Sequence, residues 1–151
     1  MILPARPKKQ SGFTLIEILI VIALIGIIGT AFLSNFFSSI ARGRDSRRKQ
    51  DLRSINQALE LYYNDNRRYP DDLPPGGDPF SHPDNSEIIY MTKTPVDPQT
   101  GVRYCYETAD GSSYWMGVGL ENTQDPDVLV NPVSCGGNPY NYGIASSNVT
   151  L

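Results

Sequence analysis

The chain has 151 residues and a formal charge of −3, which is room for one domain of modest size. One histidine and two cysteines exclude a zinc site built on three or four nitrogen and sulfur ligands, and they leave little material for a histidine-based triad. The charge is sorted along the chain: residues 1–12 carry net +3, 13–41 net −1, 42–53 net +4 and 54–151 net −9, an arrangement foreign to a uniform cytosolic globule.

The run from Phe13 to Phe37 is apolar, with Glu17 its only charge. As a helix it extends roughly 37 Å at ~1.5 Å per residue, against a hydrocarbon core of about 30 Å, so a membrane-spanning helix is predicted. A cleaved secretory signal processed after Ser39-Ile40-Ala41 is the alternative; the run is longer than the ~7–15 apolar residues of such a signal. Basic flanks on both sides leave the orientation open. Both cysteines lie in the larger C-terminal part, which favours an oxidising outside location for it and a cytoplasmic N-terminus.

Glu17 costs such a helix about 1–3 kcal/mol and marks a functional position. It stands four residues after Phe13. Cutting the chain between Gly12 and Phe13 would create an amine at Phe13 at nearly the same depth. Within one chain the helix geometry suits that pair poorly; between neighbouring copies staggered by one turn the two charges pair, setting the register of assembly.

The stretch Lys8-Lys9-Gln10-Ser11-Gly12-Phe13-Thr14-Leu15-Ile16-Glu17, followed by ILIVIALIGIIG, resembles the class III signal of type IV pilins and type II secretion pseudopilins. The resemblance implies that a membrane-embedded prepilin peptidase cuts after Gly12, that Phe13 is then N-methylated, and that Glu17 serves assembly. A plain single-pass anchor is the alternative. The proline common in the lower half of family helices is absent near Ser34 and Asn35, while Gly26 and Gly29 either loosen the helix or let neighbouring helices approach closely.

Beyond Asn35 the helical pattern continues: Leu52, Ile55, Leu59 and Tyr62 recur at spacings of three and four, and the run stops at Asn64-Asp65-Asn66 before Tyr69-Pro70. The expected helix runs from Phe13 to Tyr63, on the order of 75 Å, apolar all round at first and amphipathic later. Its basic segment, residues 42–53, is predicted to form Asp45–Lys49, Arg47–Asp51 and Arg48–Asp51 pairs along the helix, its other arginines facing lipid phosphates or acidic patches of adjacent subunits; no specific nucleic acid is predicted. Ala58, Leu59, Tyr62, Tyr69 and Pro70 stand where pilin helices commonly end in a similar pattern.

Residues 71–86 are rich in Pro, Gly and Asp and read as a loop, with His82 a solvated member of it. Val102, Tyr104 and Tyr106 alternate with polar neighbours, Asp110-Gly111 is a turn signal, and Tyr114, Met116, Val118 and Leu120 alternate again, predicting an antiparallel hairpin. Val128–Val130 is a candidate third strand, and the Gly- and Asn-rich tail is expected to be irregular. Cys105 and Cys135 are the expected staple, with unpaired thiols or intermolecular links as alternatives; family members often carry such a disulfide. Thr94–Tyr104 and Gly119-Leu120-Glu121-Asn122 also resemble major pseudopilins and minimal bacterial pilins. Major pseudopilins hold calcium in a loop near there, so Glu121, Asp125 and Asp127 are calcium candidates, mere solvation of acidic loop residues being the alternative. Asn148-Val149-Thr150 matches a glycosylation sequon.

The expected fold is α+β, a long helix on a small antiparallel sheet. A leader (1–12) is followed by an apolar half-helix (13–37), an amphipathic half-helix (38–66) and a globular head (67–151). No nucleophile–base pair is visible, so an enzyme is not expected. The reading is a structural subunit of a type IV pilus-like homo-oligomeric filament, served by prepilin peptidase and an assembly platform. The precursor would sit in the inner membrane and the mature form in a cell-surface or periplasmic filament. A major pseudopilin of type II secretion is the alternative, and a monomeric membrane-anchored binding module a third reading.

Overall fold

The computed structural model describes residues 12–149, except the side chains of 31–35. The leader up to Ser11 and Thr150 of the sequon lie outside the described residues. The molecule divides into two units, Met1–Ser38 and Ser39–Leu151. One helix, α1 (Leu15–Asn66), contributes to both.

In the first unit α1 carries large apolar side chains on all sides, and Phe13, Leu15 and each apolar residue from Ile16 to Ile28 that is large are exposed. No helix is long and apolar enough to cross a membrane among the described residues, whose side chains are interrupted at 31–35.

The second unit is the head. Here α1 buries Leu52, Ile55, Ala58, Leu59 and Tyr62 on one face. Spacings of three and four bring these residues to one side. They pack with Tyr69, Leu73, Phe80, Tyr104, Tyr114, Met116, Val118, Leu120 and Tyr142. A fully buried Leu or Ile contributes about 1.5–3 kcal/mol, so the helix face is a main support of so small a core. After Asn66 the backbone turns at Arg67, whose φ is 58°.

The predicted hairpin forms. Strands β3 (Cys105–Thr108) and β4 (Tyr114–Val118) pair antiparallel, with Cys105 opposite Gly117 and Thr108 opposite Tyr114. Gly111 makes the turn possible: its φ is 77°, and its carbonyl accepts the Tyr69 N–H at 2.8 Å. The third strand corrects the expectation. It is not Val128–Val130 but β7 (Tyr142–Ala145), in the tail expected to be irregular, and β7 pairs antiparallel with β4. Only Gly fits at position 143, where a Cβ would lie 2.5 Å from the Met116 carbonyl oxygen and 2.6 Å from the Trp115 ring.

Two smaller ribbons complete the head. Strands β1 (Phe80–His82) and β2 (Asn85–Met91) pair irregularly, where a loop was expected through residue 86. Strands β5 (Val133–Cys135) and β6 (Asn138–Tyr140) form a hairpin across Gly136 and Gly137, both at positive φ. The disulfide Cys105–Cys135 ties β5 to β3, with Cα atoms 6.0 Å apart. Closing a loop of 30 residues contributes roughly 3–4 kcal/mol in the chain-entropy model.

Candidate functional site

Two constellations carry the functional reading: the start of α1 and a charged clasp at its middle. Gly12, Phe13 and Thr14 precede the helix, and all three are exposed, so the Gly12–Phe13 bond lies in accessible, non-helical backbone. Thr14 caps the helix. Its hydroxyl oxygen accepts the Glu17 N–H at 3.3 Å, and the Glu17 carboxylate accepts the Thr14 N–H at 3.4 Å. This is a reciprocal capping box, which satisfies two of the backbone donors that a helix start leaves open. It also puts a negative charge at the positive end of the helix dipole. The Thr-x-x-Glu spacing of Thr14 and Glu17 is the local sequence signal of that box.

The clasp is built from Arg44, Asp45, Arg48 and Lys49, four positions that one helical face presents together. Buried Asp45 accepts the backbone N–H groups of Glu121 and Asn122 at 3.0 and 2.8 Å, and Arg48 at 2.8 Å. Arg48, only 3% exposed, donates onward to Asp97 at 2.5 Å and to Glu121 at 2.6 Å. Arg44 holds both oxygens of Glu121, at 2.7 and 2.5 Å. Lys49 reaches Asp125 at 2.5 Å and Asp127 at 2.7 Å, and its ammonium stands 5.5 Å from the centre of the Tyr142 ring.

These contacts set the local acidities. Hydrogen bonds from Arg44, then Arg48, draw the Glu121 carboxyl down to about 2. Burial works to raise Asp97, but Arg48 and the Thr100 and Gln99 N–H groups hold it at about 2. The Lys49 ammonium lowers Asp125. Among the described residues no buried side-chain nitrogen or oxygen lacks a partner.

The helix pairs expected from spacing are thus mostly redirected. Arg47–Asp51 forms at 3.0 Å, but Lys49 leaves Asp45 for the 125–127 loop, and Arg48 leaves Asp51 for Asp45, Asp97 and Glu121. Asp51 instead accepts the Tyr104 hydroxyl at 2.9 Å. Loop acids outcompete helix neighbours because they reach a partly buried cation whose charge must be met. The three calcium candidates do not form one ligand set: Glu121 is held by two arginines, while Asp125 and Asp127 share Lys49. Among the described residues no group of three or more His, Cys, Asp or Glu is placed to hold a metal. His82 accepts the Asp84 N–H at 3.1 Å, and Asn148 donates to the Ser112 carbonyl at 3.2 Å.

A long helix opening on a capped, exposed apolar stretch and closing against a small antiparallel head is a pilin-like α+β fold. Residues 7–33 match the family model described as the prokaryotic N-terminal methylation motif. The chain is 34% identical over 100 residues to the type II secretion system core protein G of Pseudomonas aeruginosa, covering 60% of this chain and 69% of that protein. It is 33% identical over 65 residues to the corresponding protein of Aeromonas hydrophila, 43% of this chain and 46% of that one. With the type IV major pilin protein PilA of Myxococcus xanthus it shares 36% over 63 residues, 42% of this chain. The matched part spans less than half of the Aeromonas protein and 29% of the Myxococcus one. The chain belongs to the type IV pilin and pseudopilin family. It is therefore a structural subunit rather than an enzyme. No solved structure matches it.

Proposed function

We propose that this chain is a prepilin that is cut after Gly12, N-methylated at Phe13 and assembled into the pseudopilus of a type II secretion machine. The precursor is held in the inner membrane by the stretch 13–37, with its N-terminus cytoplasmic, and the head lies outside. The single observation that carries the filament reading is the start of α1: an accessible Gly12–Phe13 bond beside a helix whose apolar side chains have no cover of their own. Exposed apolar surface of that extent calls for lipid before assembly and for other copies after it. Glu17 then has two duties, capping its own helix with Thr14 and neutralising the Phe13 amine of a neighbouring copy.

The choice of a secretion pseudopilus rests on how far the likeness reaches. The match to the Pseudomonas protein takes in 60% of the chain, more than the 66 residues ending at the helix terminus can hold, so it extends into the head. The match to the Myxococcus pilin is short enough to be held within those 66 residues. An extracellular pilus is the second reading, favoured by that pilin match. Intact mass and N-terminal sequencing, on sheared surface material and on membranes separately, test both. A methylated Phe13 start confined to membranes is expected of the pseudopilus. The same start in sheared filaments would favour the pilus, and an uncut Met1 or a start at Arg42 would refute processing.

A further inference from the structure

Two surfaces of the head are left open by its own packing, and their charges are opposite. The first is the outer side of α1. Arg42 and Arg53 are eleven positions apart, hence ~17 Å along the axis and within ~20° of each other around it. Both are exposed, and neither makes an ion pair among the described residues. Of the acids on this part of the helix, Asp51 is buried on the opposite side and Asp45 is buried about 60° round from Arg42, while Glu60, about two turns beyond Arg53, is exposed on the same side and accepts the Tyr69 hydroxyl at 3.1 Å. Leu61, further along, is 56% exposed.

The second surface is the tip of the β1–β2 ribbon. Every residue from Pro83 to Ile89 is exposed. Among the described residues Asp84 and Glu87 make no ion pair, and the ribbon contains neither Lys nor Arg. Ile88 and Ile89 are neighbours on a strand and so point to opposite faces, yet both are open, at 43% and 51% exposure. A two-stranded ribbon with both faces uncovered is only marginally stable by itself. Its root is fixed to α1 by Phe80 stacked on Tyr62 at 5.3 Å and by the Tyr90 hydroxyl on Asp65 at 3.0 Å. That root lies ~18 Å along the helix from Arg53 and ~35 Å from Arg42.

We propose that the ribbon tip of one copy seats against the Arg42–Arg53 face of another, Asp84 and Glu87 meeting the arginines while Ile89, on the same ribbon face as Glu87, is covered. The inference rests on the filament reading and specifies a contact within it. The two patches are unlike and lie at different heights on one head, so the contact is heterologous, and repeating it builds a ring or an open helical chain rather than a closed two-fold dimer; the filament reading selects the open chain. Charge opposition fixes which patches meet, and Ile89 supplies apolar area that paired charges at an exposed rim do not.

The full-length protein is expressed with its own assembly machinery, and filament yield and membrane pool are quantified side by side. Arg53→Glu and Glu87→Arg are each expected to give several-fold less filament at an undiminished membrane pool, and the two combined to recover most of the loss. Singles at wild-type yield would overturn the contact. So would a combined variant no better than the worse single, and an Arg53→Glu defect that Glu87→Arg does not relieve points to lipid headgroups on that face instead. As a second measurement, p-benzoylphenylalanine at position 89 is expected to crosslink, in assembled filaments, to a peptide of another copy that contains Arg53; capture of a different peptide sinks the proposal. Glu17→Ala separates the two levels: filaments that persist in that variant contradict the assembly role itself, whatever the ribbon does.

Discussion

Between Leu15 and Ile28, helix α1 carries large apolar side chains on every side, and none is covered; between Leu52 and Tyr62 the apolar residues Leu52, Ile55, Ala58, Leu59 and Tyr62 form one face that the same chain covers, and Leu61 alone stays exposed. Both segments belong to one unbroken helix. The difference lies in what completes each. The second segment is completed intramolecularly, by a sheet, a disulfide and an ionic clasp. Among the described residues nothing completes the first, and its solitary acid is engaged with the cap of its own helix. Stability and assembly are thereby assigned to different stretches of one element, so changes in one should leave the other readable.

The sharpest break is expected at Glu17. Glu17→Ala should abolish filaments while the thermal melt of the detergent-solubilised protein stays at its wild-type midpoint. A lowered midpoint would mean that the two stretches are not independent. Next comes Arg48, buried among Asp45, Asp97 and Glu121. Its loss leaves buried acids without compensation, and Arg48→Ala should cost about 3–5 kcal/mol in a urea titration, with methylation of Phe13 unaffected. Arg48→Lys should recover only part, because an ammonium cannot reproduce the guanidinium fork.

Acid should loosen the same clasp without any substitution. The Asp97 and Glu121 carboxyls are both held down at about 2, from ordinary values of 3.8 and 4.5. A carboxyl lowered in the folded state contributes its full stabilisation above its ordinary value and loses it as pH falls through the folded value. The melting midpoint should therefore be flat above about pH 5 and decline between about pH 4.5 and 2. Arg48→Ala should flatten that decline. The smallest effect is expected at Lys49. Lys49→Ala should cost about 1–2 kcal/mol by freeing Asp125 and Asp127. A calcium chelator should leave the wild-type midpoint in place, because an ammonium already lies between those carboxylates. A chelator-sensitive midpoint would show that the loop holds a metal in solution.

The long helix was legible because its signals are local: an apolar run, then apolar residues at spacings of three and four. The β3–β4 hairpin was legible for the same reason, through alternation on both sides of Asp110-Gly111. Strand β7 was not. Its residues, Tyr142-Gly143-Ile144-Ala145, show a weak alternation inside a Gly- and Asn-rich tail, and what makes them a strand is the edge of β4 offered from far away in the chain. The β1–β2 ribbon was not legible because Ile88 and Ile89 are adjacent rather than alternate. In the clasp the helix cations could be named from spacing, but their partners could not. Which acid wins a buried arginine depends on which loop arrives there, and spacing along the helix says nothing about Asp97 or Glu121. The disulfide was legible in part: two cysteines in one small head have one intramolecular pairing, but the count left free thiols and intermolecular links open until the fold brought Cys105 and Cys135 together.

The position of β7 also has a consequence in time. Its partner β4 ends at Val118, and the pairing strand begins only at Tyr142. A chain emerging from its N-terminus therefore presents Leu52, Ile55 and Leu59 long before the three-stranded sheet that helps cover them can close, and Cys105 waits a further 30 residues for Cys135. Every nascent molecule passes through an interval in which its helix is finished and its head is not. During that interval the buried arginine has Asp45 within reach, but Glu121 is not yet made. The sheet thus closes last, and a chain interrupted before Tyr142 would carry the complete helix with a head that lacks its third strand.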